Sequence, residues 1–101
     1  MTMTAKDQCN DAEIRSQLQD LPGWAYDASN VRIEKTFVRK DFRDAVGFIR
    51  QIAYRAEAHD HHPDILLSNY KNVKVMLSTH SAGGVTANDF DLARAIENLL
   101  A

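Results

Sequence analysis

DFRDAVGFIRQIAYRAEAHDHHP, residues 41–63, contains a capped amphipathic pattern, three of the chain's four histidines and a proline stop. Asp41 suits an N-cap, because a carboxylate there accepts from the first unpaired amides of a helix. Phe42, Val46, Ile49 and Ala53 then form one apolar stripe, and Phe48, Ile52 and Ala56 a second, at the i, i+3 and i+4 spacing of a helix. At about 100° per residue the stripes merge into an arc of roughly 160°, wider than the ~100° stripe of one packed face. The extra width fits either a deeply packed helix or one buried on a sheet and against another subunit, and the small core favours the subunit contact. Pro63 should end this helix over residues 42–60, since the residue before a proline is pushed out of the α region. His62 is then in extended chain.

The pattern changes on both sides of this helix. Downstream, ILLSNY (65–70) and VKVMLSTH (73–80) flank Lys71 and Asn72 and read as a hairpin. Val73, Val75 and Leu77 alternate with Lys74, Met76, Ser78 and His80, so His80 at the strand exit should face away from the apolar side. Upstream, residues 24–38 read as two antiparallel strands, with Val31, Ile33 and Phe37 on one alternating set and a turn over residues 27–30. Asn10 and Glu13 make a capping box for a first helix over residues 10–20, stopped by Leu21-Pro22-Gly23. After the flexible SAGGV loop, Thr86 and Asp89 form a second capping box. It opens a last helix with Phe90, Ala93, Ile96 and Leu100 on its inner stripe and Leu92 and Leu99 beside it. The order α-β-β-α-β-β-α predicts an α+β fold, a four-stranded antiparallel sheet with three helices packed on one face.

The totals agree with a small soluble domain. At 101 residues the chain reads as one domain, residues 1–9 forming a loosely ordered N-terminal tail, and a core this small favours association. A hydrophobic share of 45% and a charged share of 26% belong to a globular chain rather than a disordered or membrane one. Net charge is −2 and the basic residues are scattered among acids, which argues against direct nucleic-acid binding. One cysteine, Cys9, permits no intrachain disulfide. The opening MTMTAKDQCN lacks a signal-peptide core and no run reaches membrane-spanning length, so a cytoplasmic address and no membrane contact are expected.

Three histidines within residues 59–62 raise the question of a metal. On a helix His59 and His61 point about 200° apart and cannot share one, whereas helical zinc motifs space histidines at i and i+4. His59 projects toward the Phe48 and Ile52 edge and reads as a packing or interface residue. Glu57 and His61 are at i, i+4, so the carboxylate could orient the imidazole; an exposed helical pair of small energetic weight fits the same spacing. With His62 in extended chain and His80 at a strand exit, three imidazoles can meet at one end of a sheet and transfer protons without a metal. Asp89 reads first as the acid of the last capping box, with a supporting role at the site.

Glu57, His61-His62-Pro63, Tyr70, His80 and Asp89 closely resemble, at these spacings, the signature of the pterin-4a-carbinolamine dehydratases. Leu21-Pro22-Gly23-Trp24, Phe37, Asp41-Phe42, Ser78-Thr79-His80 and Gly83-Gly84-Val85-Thr86 extend the likeness over roughly residues 10–100. The resemblance implies dehydration of a 4a-hydroxytetrahydropterin to quinonoid dihydropterin, a recycling step for aromatic amino-acid hydroxylases, with the pterin as substrate and no metal or bound cofactor. It implies a homodimer or homotetramer built through sheet edges and the second helix. It makes His61 and His80 the acid and base in either order. His62 would position the hydroxyl or share the proton work, and Glu57 would orient His61. The pterin would be held around Asp60, His61 and His62 and from Ser78 and Thr79 to Ser81. Ser81 and Val85 depart from residues common in the family, which bears on substrate preference. The alternative is a non-catalytic oligomerising module acting as a cofactor of another protein, in which the Phe48, Ile52 and His59 edge would matter most.

Overall fold

The computed structural model describes residues 7–100. Helix α1, Asp11–Leu18, starts where expected: Asn10 accepts from the Glu13 amide and Glu13 accepts from the Asn10 amide. Strands β1, Ala25–Asp27, and β2, Arg32–Val38, follow; helix α2 is Phe42–His59. Strands β3, Asp64–Ser68, and β4, Asn72–Leu77, precede helix α3, Ala87–Asn98. All pairings in the sheet are antiparallel and the strand order is β1-β2-β4-β3. The three helices lie on one face, as the residue pattern predicts.

Alternation decides which side chains meet the helices. Ile33 and Phe37 of β2 and Val73, Val75 and Leu77 of β4 are buried, while Glu34, Lys74 and Met76 alternate to the opposite face. Trp24, Phe37 and Phe48 stack edge to face, with centroids 6.1 and 5.0 Å apart, a geometry that aromatic quadrupoles favour. This stack ties α2 to the sheet. Lys35 does the same for α3, reaching Glu97 at 2.9 Å and the Pro22 carbonyl at 3.0 Å. Val31 is not part of the alternating set: it lies in the β1–β2 turn at φ 53°, a left-handed conformation that ends the strand.

Helix α2 splits the wide apolar arc. Ala45, Phe48, Ile52 and Ala56 are buried, each fixed against the core, whereas Phe42 is 57% and Val46 47% exposed. Ala53 shares that exposed side and Ile49 is half-buried. Only the stripe facing the sheet is covered, because one helix can turn just one face to one layer. Phe48 and Ile52 therefore cannot form an interface edge with His59. Likewise Phe90, Leu92, Ala93 and Ile96 of α3 are buried and Leu100 is exposed.

Of the expected tail, residues 1–6 lie outside the described residues. Cys9 is buried and its amide donates to the Val85 carbonyl at 2.7 Å. Among the described residues, no helix is long and apolar enough to cross a membrane.

Candidate functional site

The site is built at the C-terminal end of α2, and Asp60 decides its geometry. This residue adopts a left-handed conformation at φ 49°, which Asp tolerates better than most residues. Its amide bonds to Glu57 and that of His61 reaches back to the Ala56 carbonyl at 3.1 Å, the paired bonds of a Schellman stop. The helix thus ends at His59, four residues before Pro63. His61 is swung off the helical face that it would have shared with Glu57, and the expected Glu57–His61 pairing is not formed.

His61 instead meets Asp89. Its Nε2 lies 2.6 Å from Asp89 Oδ1, with the carboxylate 0% and the imidazole 13% exposed. The second oxygen, Oδ2, accepts from Thr79 Oγ1 at 2.9 Å and from the Thr86 amide at 2.9 Å. Thr86 Oγ1 in turn lies 2.8 Å from Thr79 Oγ1. A carboxylate removed from water requires such partners. Asp89 is both the capping-box acid of α3 and the group that fixes His61.

Glu57 pairs with His62, through Glu57 Oε2 and His62 Nε2. This pair is open to water, its side chains being 73% and 62% exposed. His62 is in extended chain before β3, where the proline rule places it. His59 is exposed on α2 with Nδ1 2.9 Å from the Arg55 carbonyl. The three neighbouring histidines thus take three different partners. Among the described residues, no three His, Cys, Asp or Glu side chains gather as a metal site would require.

His80 opens a short 3-10 turn, His80–Ala82, just beyond β4. Its ring is exposed, and it borders a cavity of about 220 Å³ together with Ser78, Thr79, Gly84, Asn30 and Val31. Asn30 and Val31 carry no chemical signal in the sequence. They reach this cavity because the β2–β4 ladder ends at Ile33 and Leu77, which brings the β1–β2 turn beside the chain that leaves β4. His61 and His80 are thereby connected through one chain of contacts: His61 to Asp89, Asp89 to Thr79, and Thr79 to the next residue, His80. Ser81 is exposed in the same turn, and Asp60 is exposed at the end of α2.

Tyr70 contributes to shape rather than to this cluster. It lies in the β3–β4 turn at φ 52°, 55% exposed, and there it follows Asn69, also left-handed at φ 47°. Two such residues in succession give the twist that a tight hairpin needs. Thr86 was legible only as a cap, although its hydroxyl and amide also hold the Thr79–Asp89 pair.

Comparison with known proteins adds the following. The family described as Pterin 4 alpha carbinolamine dehydratase matches residues 7–99. A protein of Rhodopseudomonas palustris, provisionally named a pterin-4-alpha-carbinolamine dehydratase, is 48% identical over 90% of this chain and 89% of its own length. One of Roseiflexus castenholzii, provisionally named in the same way, is 45% identical over 90% and 95%. A crystal structure of a transcriptional coactivator/pterin dehydratase from Brucella melitensis superposes with a TM-score of 0.87 and 36% identity, covering 94% of this chain and 100% of that one. A pterin dehydratase-like protein described as a RuBisCO assembly factor in the alpha-carboxysome shares the fold at a TM-score of 0.63 and 18% identity, over 76% of this chain and 88% of that one.

Proposed function

This chain belongs to the pterin 4 alpha carbinolamine dehydratase family, and from that premise we propose that it removes water from a 4a-hydroxytetrahydropterin to give quinonoid dihydropterin. The buried His61–Asp89 pair is the observation that supports the proton chemistry. An ionised carboxylate only accepts, so His61 Nε2 carries the proton and Nδ1 is left as the basic lone pair. His61 takes the ring N–H proton through Nδ1. As the C4a–O bond breaks and the C=N bond forms, His80 protonates the departing hydroxyl, which leaves as water.

His62, braced by Glu57, orients that hydroxyl. Asp60, Ser78, Thr79 and Ser81 line the approach and hold the pterin in part through backbone groups. No metal or bound cofactor enters these steps. General acid and base catalysis contributes about 10²- to 10⁴-fold per group. Purified protein should accelerate quinonoid dihydropterin formation, and His61→Ala and His80→Ala should each slow it at least ~10²-fold. A wild-type rate equal to that of buffer would refute the assignment.

The exposed Phe42, Val46 and Ala53 stripe supports a homodimer or homotetramer through α2, an apolar flank that a monomer leaves in water. A cytoplasmic enzyme serving an aromatic amino-acid hydroxylase fits this reading. A non-catalytic second role is motivated by the coactivator and assembly-factor names of two structural relatives. It would use the same exposed stripe and survive loss of His61 and His80.

A further inference from the structure

A groove of about 460 Å³ runs between the C-terminal half of α2 and α3, away from the histidine site. Arg55, His59, Asp91, Arg94, Ala95 and Asn98 line it. The small side chain of Ala95 helps to keep the seam open. Beside the groove is a second hollow of about 320 Å³ whose lining includes Tyr54, Ala58 and Leu99, and which Arg55 also borders. The combined surface is cationic at one end and apolar at the other, on a chain whose net charge is −2.

Each basic group is available in a different way. The Arg55 guanidinium has no ion pair or hydrogen bond among the described residues. Arg94 is steadied by Gln17, which accepts from its Nη2, and its Nη1 is 3.6 Å from Asp91. His59 Nδ1 donates to the Arg55 carbonyl at 2.9 Å. Because a carbonyl can only accept, Nδ1 carries the proton of that ring and Nε2 takes no part in the bond. Asp91 is the one acid on the lining.

We propose that this groove binds a small phosphate-bearing molecule, its oxyanion held by Arg55 and Arg94 and its apolar part resting toward Tyr54 and Leu99. Planar guanidinium groups match phosphate oxygens in pairs. The C-terminal end of α2 disfavours an anion, but by less than charge-assisted hydrogen bonds from two arginines favour it. The groove is independent of the dehydratase site, since Arg55 and Glu57 point about 200° apart around α2. It also avoids the exposed apolar stripe: Arg55 follows Val46 by nine residues, which turns it about 180° around the helix. Association through Phe42 and Val46 leaves the groove accessible.

The test is a titration of the isotope-labelled full chain by nuclear magnetic resonance, using phenyl phosphate, inorganic phosphate and sulfate at constant ionic strength. Saturable shifts at residues 55–59 and 91–98, with phenyl phosphate binding more tightly than inorganic phosphate, support the site. Arg55→Gln and Arg94→Gln should each weaken binding about tenfold, and Arg55→Gln should leave dehydration unchanged. Shifts that stay linear and spread over the surface, or that persist in both arginine variants while their spectra remain folded, overturn the proposal.

Discussion

His61 and Asp89, twenty-eight residues apart in the chain, meet at 2.6 Å in a setting from which water is excluded on the carboxylate side. One acid caps α3, receives two further hydrogen bonds and sets the imidazole tautomer. In the proposed reaction this couples fold and chemistry at a single side chain.

Asp89→Asn separates the two roles. The amide oxygen can still cap α3, but its NH₂ then faces His61 Nε2 and forces the proton to Nδ1. Dehydration should fall by about 10²- to 10⁴-fold while the fold persists. Steady-state rates over a range of pH, read beside circular dichroism, check this, and an unchanged pH profile would count against the assigned base.

Glu57→Gln removes the partner of His62. Because that pair is open to water, stability should change by no more than about 0.5 kcal/mol. The rate should fall less than in His61→Ala. Urea unfolding and the dehydration assay measure the two effects separately, and a large loss of stability would contradict the exposed geometry.

Val46→Glu places a charge in the exposed stripe of α2, beside the covered one. The variant should sediment as a smaller species than wild type, with its secondary structure retained. If sedimentation is identical for the two proteins, the stripe is not the contact.

Asp44 gives a pH-dependent contribution with a definite sign. The Lys40 amide at 2.9 Å, followed by the Arg39 guanidinium at 3.1 Å, holds its carboxyl below the ordinary range. A depressed folded value means stabilisation that is present above the unfolded value of about 3.9 and lost as pH falls through the folded one. Wild type should therefore exceed Asp44→Asn in stability at pH 7, and the gap should close in acid below about pH 4. Denaturation midpoints at the two pH values provide the comparison.

Cys9 should resist alkylation. Burial, with the charges of Glu13 and Asp89 adding to it, pushes the thiol up to about 11. Little thiolate then exists near pH 8 in the folded chain. Iodoacetamide should label the protein slowly until urea unfolds it, and rapid labelling of native protein would contradict this burial.

Much of the architecture was legible because its signals are local. Asn10 with Glu13, and Thr86 with Asp89, mark two helix starts through bonds that span three residues. The alternation of Val73, Val75 and Leu77 marks one face of a strand with a period of two. The spacing from Glu57 to Asp89 identified the family, since a pattern of residue types at fixed separations is itself a property of sequence. The same spacing misassigned a contact: i, i+4 geometry paired Glu57 with His61 only on the assumption that the helix continued.

Asp60 in the left-handed region ended that continuity, which sent His61 to Asp89 and left Glu57 to His62. Likewise, the residue pattern fixed how wide the apolar arc of α2 is, but the packing of one sheet layer chose Phe48 and Ile52 over Phe42 and Val46. The cavity beside His80 depends on strand register, which brings the β1–β2 turn beside the end of β4. Caps, periods and motif spacings are written in neighbouring residues. Which imidazole meets which carboxylate is decided by distances between elements, and those exist only once the chain has folded.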